Sequence, residues 1–165
     1  MSTDAIVLLR EDHHALRQLF RDYLAPGTTD AARAEDAERI VHELTVHNYL
    51  EDEVVYPEVR RQVPELADPM RVAQQEHHVA DLLCQEIAVM DEADPQRDAK
   101  LRVLIEVVSR HLDAEEHDWF PRVRTAIGRN ELRRIGERMQ AVRETAPREP
   151  EKPGLLRRFA DALES

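Results

Sequence analysis

The chain is short of most of what builds sheets, disulfides or membrane spans. It has four glycines in 165 residues and 4% aromatic side chains, where average glycine usage is about 7%. That is too little turn chemistry for an all-β fold. A single cysteine, Cys84, excludes an intramolecular disulfide and a cysteine-based zinc or iron–sulfur site within one chain, and it fits a reducing, cytoplasmic setting. No apolar run approaches the roughly 20 residues of a membrane span. No secretory signal is visible either, because Asp4, Arg10, Glu11 and Asp12 surround the short apolar run Ala5 to Leu9. Positive charge is also scarce: 23 Lys and Arg stand against 34 Asp and Glu, a net charge of −11. Such a surface repels phosphate backbones and anionic membranes, so no nucleic-acid partner is expected.

What remains is a helix-forming composition of Ala, Leu, Glu and Arg, of a length that suits one domain. Apolar residues recur at helical spacing on four segments. The stripes are Ile6, Leu9, His13, Leu16, Phe20, Tyr23; Ile40, Leu44, His47, Glu51, Val54; Met70, Ala73, His77, Ala80, Cys84, Ile87; and Leu101, Leu104, Val108, His111, Glu115. Breaks are expected at residues 25–30, at Val63-Pro64 through Asp68-Pro69, and at 91–95. Asp30 and Asp94 are the expected N-caps, with Pro95 at a first helical position. Short loops between four such segments predict an all-α, antiparallel up-down-up-down four-helix bundle. The expected division is a bundle over 1–127, an additional helix over 128–146 carrying Leu132, Ile135, Met139 and Val142, and a linker with a short amphipathic tail over 147–165.

A shift of 64 residues superposes the two halves. His13 maps onto His77, His14 onto His78, His47 onto His111, Glu51 onto Glu115, Tyr56 onto Phe120, Pro57 onto Pro121 and Val59 onto Val123. Six of the eight histidines pair in this way, leaving His42 and His117. The bundle therefore reads as two similar helical hairpins.

His13, His47, His77 and His111 fall on the apolar stripes, where the core should be. Glu51 and Glu115 follow two of them at i+4, on the same face. At about 1.5 Å rise per residue, the four helices bring these six groups to one level within about a turn. A buried carboxylate without a partner costs several kcal/mol, and a metal compensates it; imidazole with carboxylate suits iron, manganese or zinc. Hydrogen-bonded His–Glu pairs in a dry core would serve one hairpin but do not require both to repeat the pair. His14 and His78 fall on polar faces, and His42 and His117 lie off the inner stripes. Cys84, Trp119 and Phe120 read as core. Tyr49 and Tyr56 are left unplaced. Pro57 and Pro121 are expected to bend their helices beyond the site.

At these residues the sequence resembles the hemerythrin-like, or HHE cation-binding, family. The matching pieces are Glu11-Asp12-His13-His14, His47-Asn48-Tyr49-Leu50-Glu51 with Tyr56-Pro57, Glu76-His77-His78, and His111-Leu112-Asp113-Ala114-Glu115-Glu116 with Phe120-Pro121. The resemblance covers roughly residues 4–125. It implies a four-helix bundle around a non-heme diiron centre with an oxo or hydroxo bridge. In it His13, His47, His77 and His111 would be terminal ligands, and Glu51 and Glu115 would bridge two irons. The chain departs from oxygen-carrying hemerythrins, which have HxxxH on the third helix and end in HxxxxD. Here Ala73 lies four residues before His77 and Asp81 four after it, so one histidine is missing; Asp81, a water or another side chain would fill the gap. On the last helix Glu115 lies four and Glu116 five residues after His111, and the repeat favours Glu115.

The resemblance implies a protein that binds or senses oxygen, peroxide or nitric oxide. A diiron enzyme that decomposes peroxide or oxidises iron is the alternative. Ferritin-type chemistry is disfavoured, since ExxH occurs once, at Glu11–His14, and His14 faces outward. A metal-free interaction bundle, acting through its acidic surface and C-terminal segment, is the third reading.

Overall fold

The computed structural model describes residues 3–150. Helix α1 (Ala5–Leu24) starts at Asp4, whose carboxylate accepts from the backbone N–H groups of Ile6 and Val7. It ends at a turn in which Gly27 takes φ +80°, a conformation that favours glycine. Helix α2 (Asp30–Leu50) is capped by Thr29, whose hydroxyl accepts from Ala32 N–H at 3.2 Å. This corrects the expected cap by one residue: Asp30 is the first helical residue, where its charge suits the positive end of the helix. After α2 come a π-turn at Glu51–Val55, α3 (Tyr56–Gln62) and a 3₁₀ turn at Pro64–Leu66. Helix α4 (Ala67–Val89) takes Pro69 into its first turn, where no N–H is needed, so this break is shorter than expected. Helix α5 (Pro95–Ala114) has Asp94 as its N-cap and Pro95 as its first residue, as the sequence predicts. A second π-turn (Glu115–Trp119) leads into α6 (Phe120–Ala126), and α7 (Arg129–Arg143) follows. The tail residues Leu155, Leu156, Phe159 and Leu163 lie outside the described residues.

The chain is an all-α up-down-up-down bundle of two hairpins. Helix α1 packs on α2, α4 packs on α5, and α7 lies along α1. Each π-turn comes just before a proline. In it Tyr56 N–H reaches Glu51 C=O and Phe120 N–H reaches Glu115 C=O, five residues back. Pro57 and Pro121 have no N–H to give, and in a regular helix each ring meets the carbonyl four residues back. One extra residue in the preceding turn relieves this register.

Most of the apolar interior falls into two clusters, beside a small third one of Val46, Leu50 and Ala146. One cluster holds Ala5, Ile6, Leu9, Tyr56, Leu66, Met70, Phe120 and Met139 among others. The other holds Leu16, Phe20, Ile40, Leu44, Ala80, Cys84, Leu104 and Leu112. On α1 the boundary runs between Leu9 and Leu16, and on α4 between Ala73 and Ala80. His13 and His77 stand at that boundary. Cys84 is a buried core residue, and burial pushes its thiol up to about 12.

Helix α7 inserts Leu132, Ile135 and Met139 into the first cluster. It can approach the backbone just before α1 because residue 136 has no side chain. A Cβ at Gly136 would stand 1.7 Å from the Thr3 carbonyl oxygen. Gly136→Ala should therefore lever α7 away and destabilise the fold by about 1–3 kcal/mol, the range for overpacking. Chemical denaturation measures this, and an unchanged midpoint would refute the docking.

Candidate metal centre

All six inward His and Glu side chains meet in the layer between the two apolar clusters. His13, His47, Glu51, His77, His111 and Glu115 are each at most 4% exposed. They form two overlapping sets, each with one ligand atom per residue and all such atoms within 4.8 Å of one another. The first is His13, His47, Glu51 and Glu115; the second is Glu51, His77, His111 and Glu115. Both glutamates belong to both sets. The 64-residue repeat appears here as a pseudo-twofold. His13 Nε2 stands 3.2 Å from Glu115, and His77 Nε2 stands 3.2 Å from Glu51. His47 Nε2 lies 3.4 Å from Glu51, and His111 Nε2 lies 3.3 Å from Glu115.

The same symmetry governs the outer ring nitrogens. His13 Nδ1 meets Glu116 at 2.8 Å, and His77 Nδ1 meets Asp52 at 3.2 Å. His111 Nδ1 meets Glu76 at 2.7 Å, while Asp12 stands 3.7 Å from His47 Nδ1. An outer carboxylate on Nδ1 fixes the ring and leaves Nε2 pointing inward with a lone pair, the arrangement of metal-binding imidazoles. Sequence reasoning missed these four acids. The signal was present, since Asp12 maps onto Glu76 and Asp52 onto Glu116 under the same 64-residue shift.

Tyr56 was also left unplaced, and the structure puts its hydroxyl inside the layer. It donates to Glu115 Oε1 at 2.8 Å and stands 3.3 Å from His77 Nε2 and 3.4 Å from Glu51 Oε2. In a regular helix Glu51 and Tyr56, five apart, would point about 140° away from each other. The π-turn brings them onto one face. Phe120, the repeat partner of Tyr56, stacks on His13 as Tyr56 stacks on His77, with ring centroids 5.4 and 5.3 Å apart. Asp81 belongs to neither ligand set; it accepts from Asn48 Nδ2 at 2.9 Å. Tyr49, His14, His78 and His117 are exposed and His42 is half-buried. Trp119 and Phe120 are core.

Burial alone would raise Glu51 and Glu115. The imidazole of His47, then those of His111 and His77, more than offset this for Glu51 and hold it well below the usual range. Glu115, opposed by both burial and the Glu51 charge, is still drawn down to about 2 by His111 and His13. Burial lowers an imidazole, yet Asp52 and Glu51 raise His77 to about 9, and Glu115 raises His111. His77 and His111 face each other Nε2 to Nε2 at 3.0 Å, so at most one carries a proton there. Buried polar atoms are normally paired. Among the described residues, those without a hydrogen bond include His13 Nε2, both ring nitrogens of His47, Glu51 Oε1 and Glu115 Oε2. The imidazole and carboxylate chemistry of the two ligand sets fits divalent metal ions.

A bundle with a buried, twofold His/Glu centre is a metal-binding class of four-helix protein. The chain belongs to the hemerythrin family: the hemerythrin HHE cation binding domain matches residues 4–123. Among solved structures it is similar to a hemerythrin HHE cation binding domain-containing protein from Mycobacterium kansasii. The two share 25% identity over 86% of each chain, with a TM-score of 0.68. No curated protein matches in sequence. Among the described residues, no helix is long and apolar enough to cross a membrane.

The raised His77 gives the metal-free protein a characteristic pH dependence. A pKa higher when folded than when unfolded contributes stability that is complete below about 6.5 and is lost as pH rises through about 9. The chelator-stripped protein should therefore lose melting temperature between pH 6.5 and 9. The metal-loaded protein should not, because metal requires the unprotonated ring. Parallel profiles for the two forms would refute the assignment.

Proposed function

We propose that this protein is a non-heme diiron protein that binds or senses oxygen or a related small oxidant. His13 and His47 would hold one ion, His77 and His111 the other, and Glu51 and Glu115 both. The observation that carries this reading is the sharing of the two glutamates between the two ligand sets, within a family whose domain is described as cation binding. Iron bound there would supply redox chemistry toward oxygen, peroxide or nitric oxide.

The chain's own residues set the conditions. Apolar clusters above and below exclude bulk water. The cavity beside the site, lined by His47, Asn48, His77, Ala80, Val108 and His111 among others, has a volume of about 10 Å³, room for about one water-sized molecule. The large surface clefts, such as the one beside Tyr23, Arg33 and Asp98, do not include any of the six site residues. This favours a diatomic or peroxide-sized ligand over an organic substrate.

Purified without chelator, the protein should carry two irons per chain. His47→Ala and His111→Ala should each lower this to one or fewer, and either variant retaining two irons would overturn the assignment.

A peroxide-decomposing enzyme is the second reading. Its support is the Tyr56 hydroxyl, a proton-bearing group directed at Glu115 inside the closed layer. Oxygen evolution from peroxide by the iron-loaded protein should fall at least tenfold in Tyr56→Phe and in Glu115→Gln. Equal rates in all three would leave binding or sensing as the function.

A further inference from the structure

The 64-residue symmetry holds for the six inward residues and for the acids behind them, but it fails in the next layer out. Behind His13, Glu116 is gripped by Arg17 at 2.6 Å, and Arg17 also reaches the exposed Asp113. Behind His47, Asp12 is gripped by Arg143 of α7 at 2.5 Å and stands back from the ring at 3.7 Å. Both acids on this side are therefore shared with an arginine. On the other side, Asp52 and Glu76 contact His77 and His111 with no arginine or lysine paired to either among the described residues. The residue matching Arg17 under the repeat is Asp81. It is half-buried, one turn beyond His77, and interacts with Asn48, His77, Asp52 and His78. A cation in one half is thus an anion in the other.

Resting on the dimetal reading above, we propose that the two metal positions are unequal and fill in order. The position at His77 and His111 takes up a divalent cation first and more tightly, and the position at His13 and His47 fills second. An outer carboxylate strengthens a ligand imidazole, and altering such partners typically changes metal affinity 10–100-fold. An arginine on the carboxylate withdraws that support and adds a positive charge within the low-dielectric neighbourhood of the ion. Two arginines act against one position, and an additional acid acts for the other. Arg17 and Arg143 are positioning residues here, working through Glu116 and Asp12. Arg143 lies on α7, beyond the matched domain, so the appended helix sets the affinity of one metal position.

The test is calorimetric titration of the chelator-stripped, full-length protein with Co²⁺, followed in parallel by the cobalt absorption bands. Two equivalents should enter in two steps at least tenfold apart in affinity. Arg17→Gln with Arg143→Gln should tighten the second step about tenfold and leave the first in place, while lysine at both positions should restore the original separation. Asp81→Asn should weaken only the first step. His47→Ala should retain one tight equivalent, and His111→Ala one weak equivalent. If the glutamine variant does not fold, this last pair decides, and a tighter remaining site in His111→Ala overturns the proposal. Two equal steps in the unaltered protein, or arginine variants that move both steps alike, also overturn it while leaving the dimetal reading intact. No cobalt uptake by the unaltered protein would instead overturn the dimetal reading itself.

Discussion

Two carboxylates sealed in the middle of a helical bundle are the constraint around which the rest of this protein is arranged. Glu51 and Glu115 are almost wholly withdrawn from water, and in an apolar interior they would be untenable alone. Four imidazoles surround them; outer acids hold three of these by hydrogen bonds, and Asp12 stands 3.7 Å from the fourth. Apolar side chains close the layer above and below. Each ring of residues exists because the one inside it needs a partner of opposite character. Several nitrogen and oxygen atoms at the centre make no hydrogen bond, as suits a site shaped for ions.

Much of this was legible in the sequence because helical spacing and the repeat are both one-dimensional signals. The four stripes, the six inward His and Glu residues and the two-hairpin architecture all follow from steps of three and four and one shift of 64. What escaped depends on hydrogen-bonding register or on contacts between distant helices. Tyr56 sits five residues after Glu51, off any regular helical stripe, and only the π-turn turns it inward. Asp12 and Glu116 act on histidines of other helices, so no local pattern announces them. Arg143 reaches Asp12 across 131 positions of sequence. Asp81, one of three candidates for the missing third-helix ligand, accepts from Asn48 on another helix, a contact no local pattern announces. Thr29 and Asp30 are both good caps, and spacing alone does not choose between them.

The internal repeat also separates what the two halves must share from what they are free to change. The inward His and Glu residues and their outer acids keep the twofold. Tyr56 against Phe120 and Arg17 against Asp81 do not. The two near-duplicate hairpins thus differ at the edges of the polar layer while their inward His and Glu residues match. Helix α7 adds to that difference from outside the duplicated region.

The split interior has its own mechanical meaning. A single continuous core melts as one body, but here a polar sheet of side chains lies between two separate oil drops, each drawing on most of the helices. When the centre is empty, that sheet is a seam along which the two ends of the bundle can loosen at different times. When ions tie the four central helices together, it becomes a clamp. The same six residues would then decide whether the protein behaves as one cooperative unit or as two joined ones.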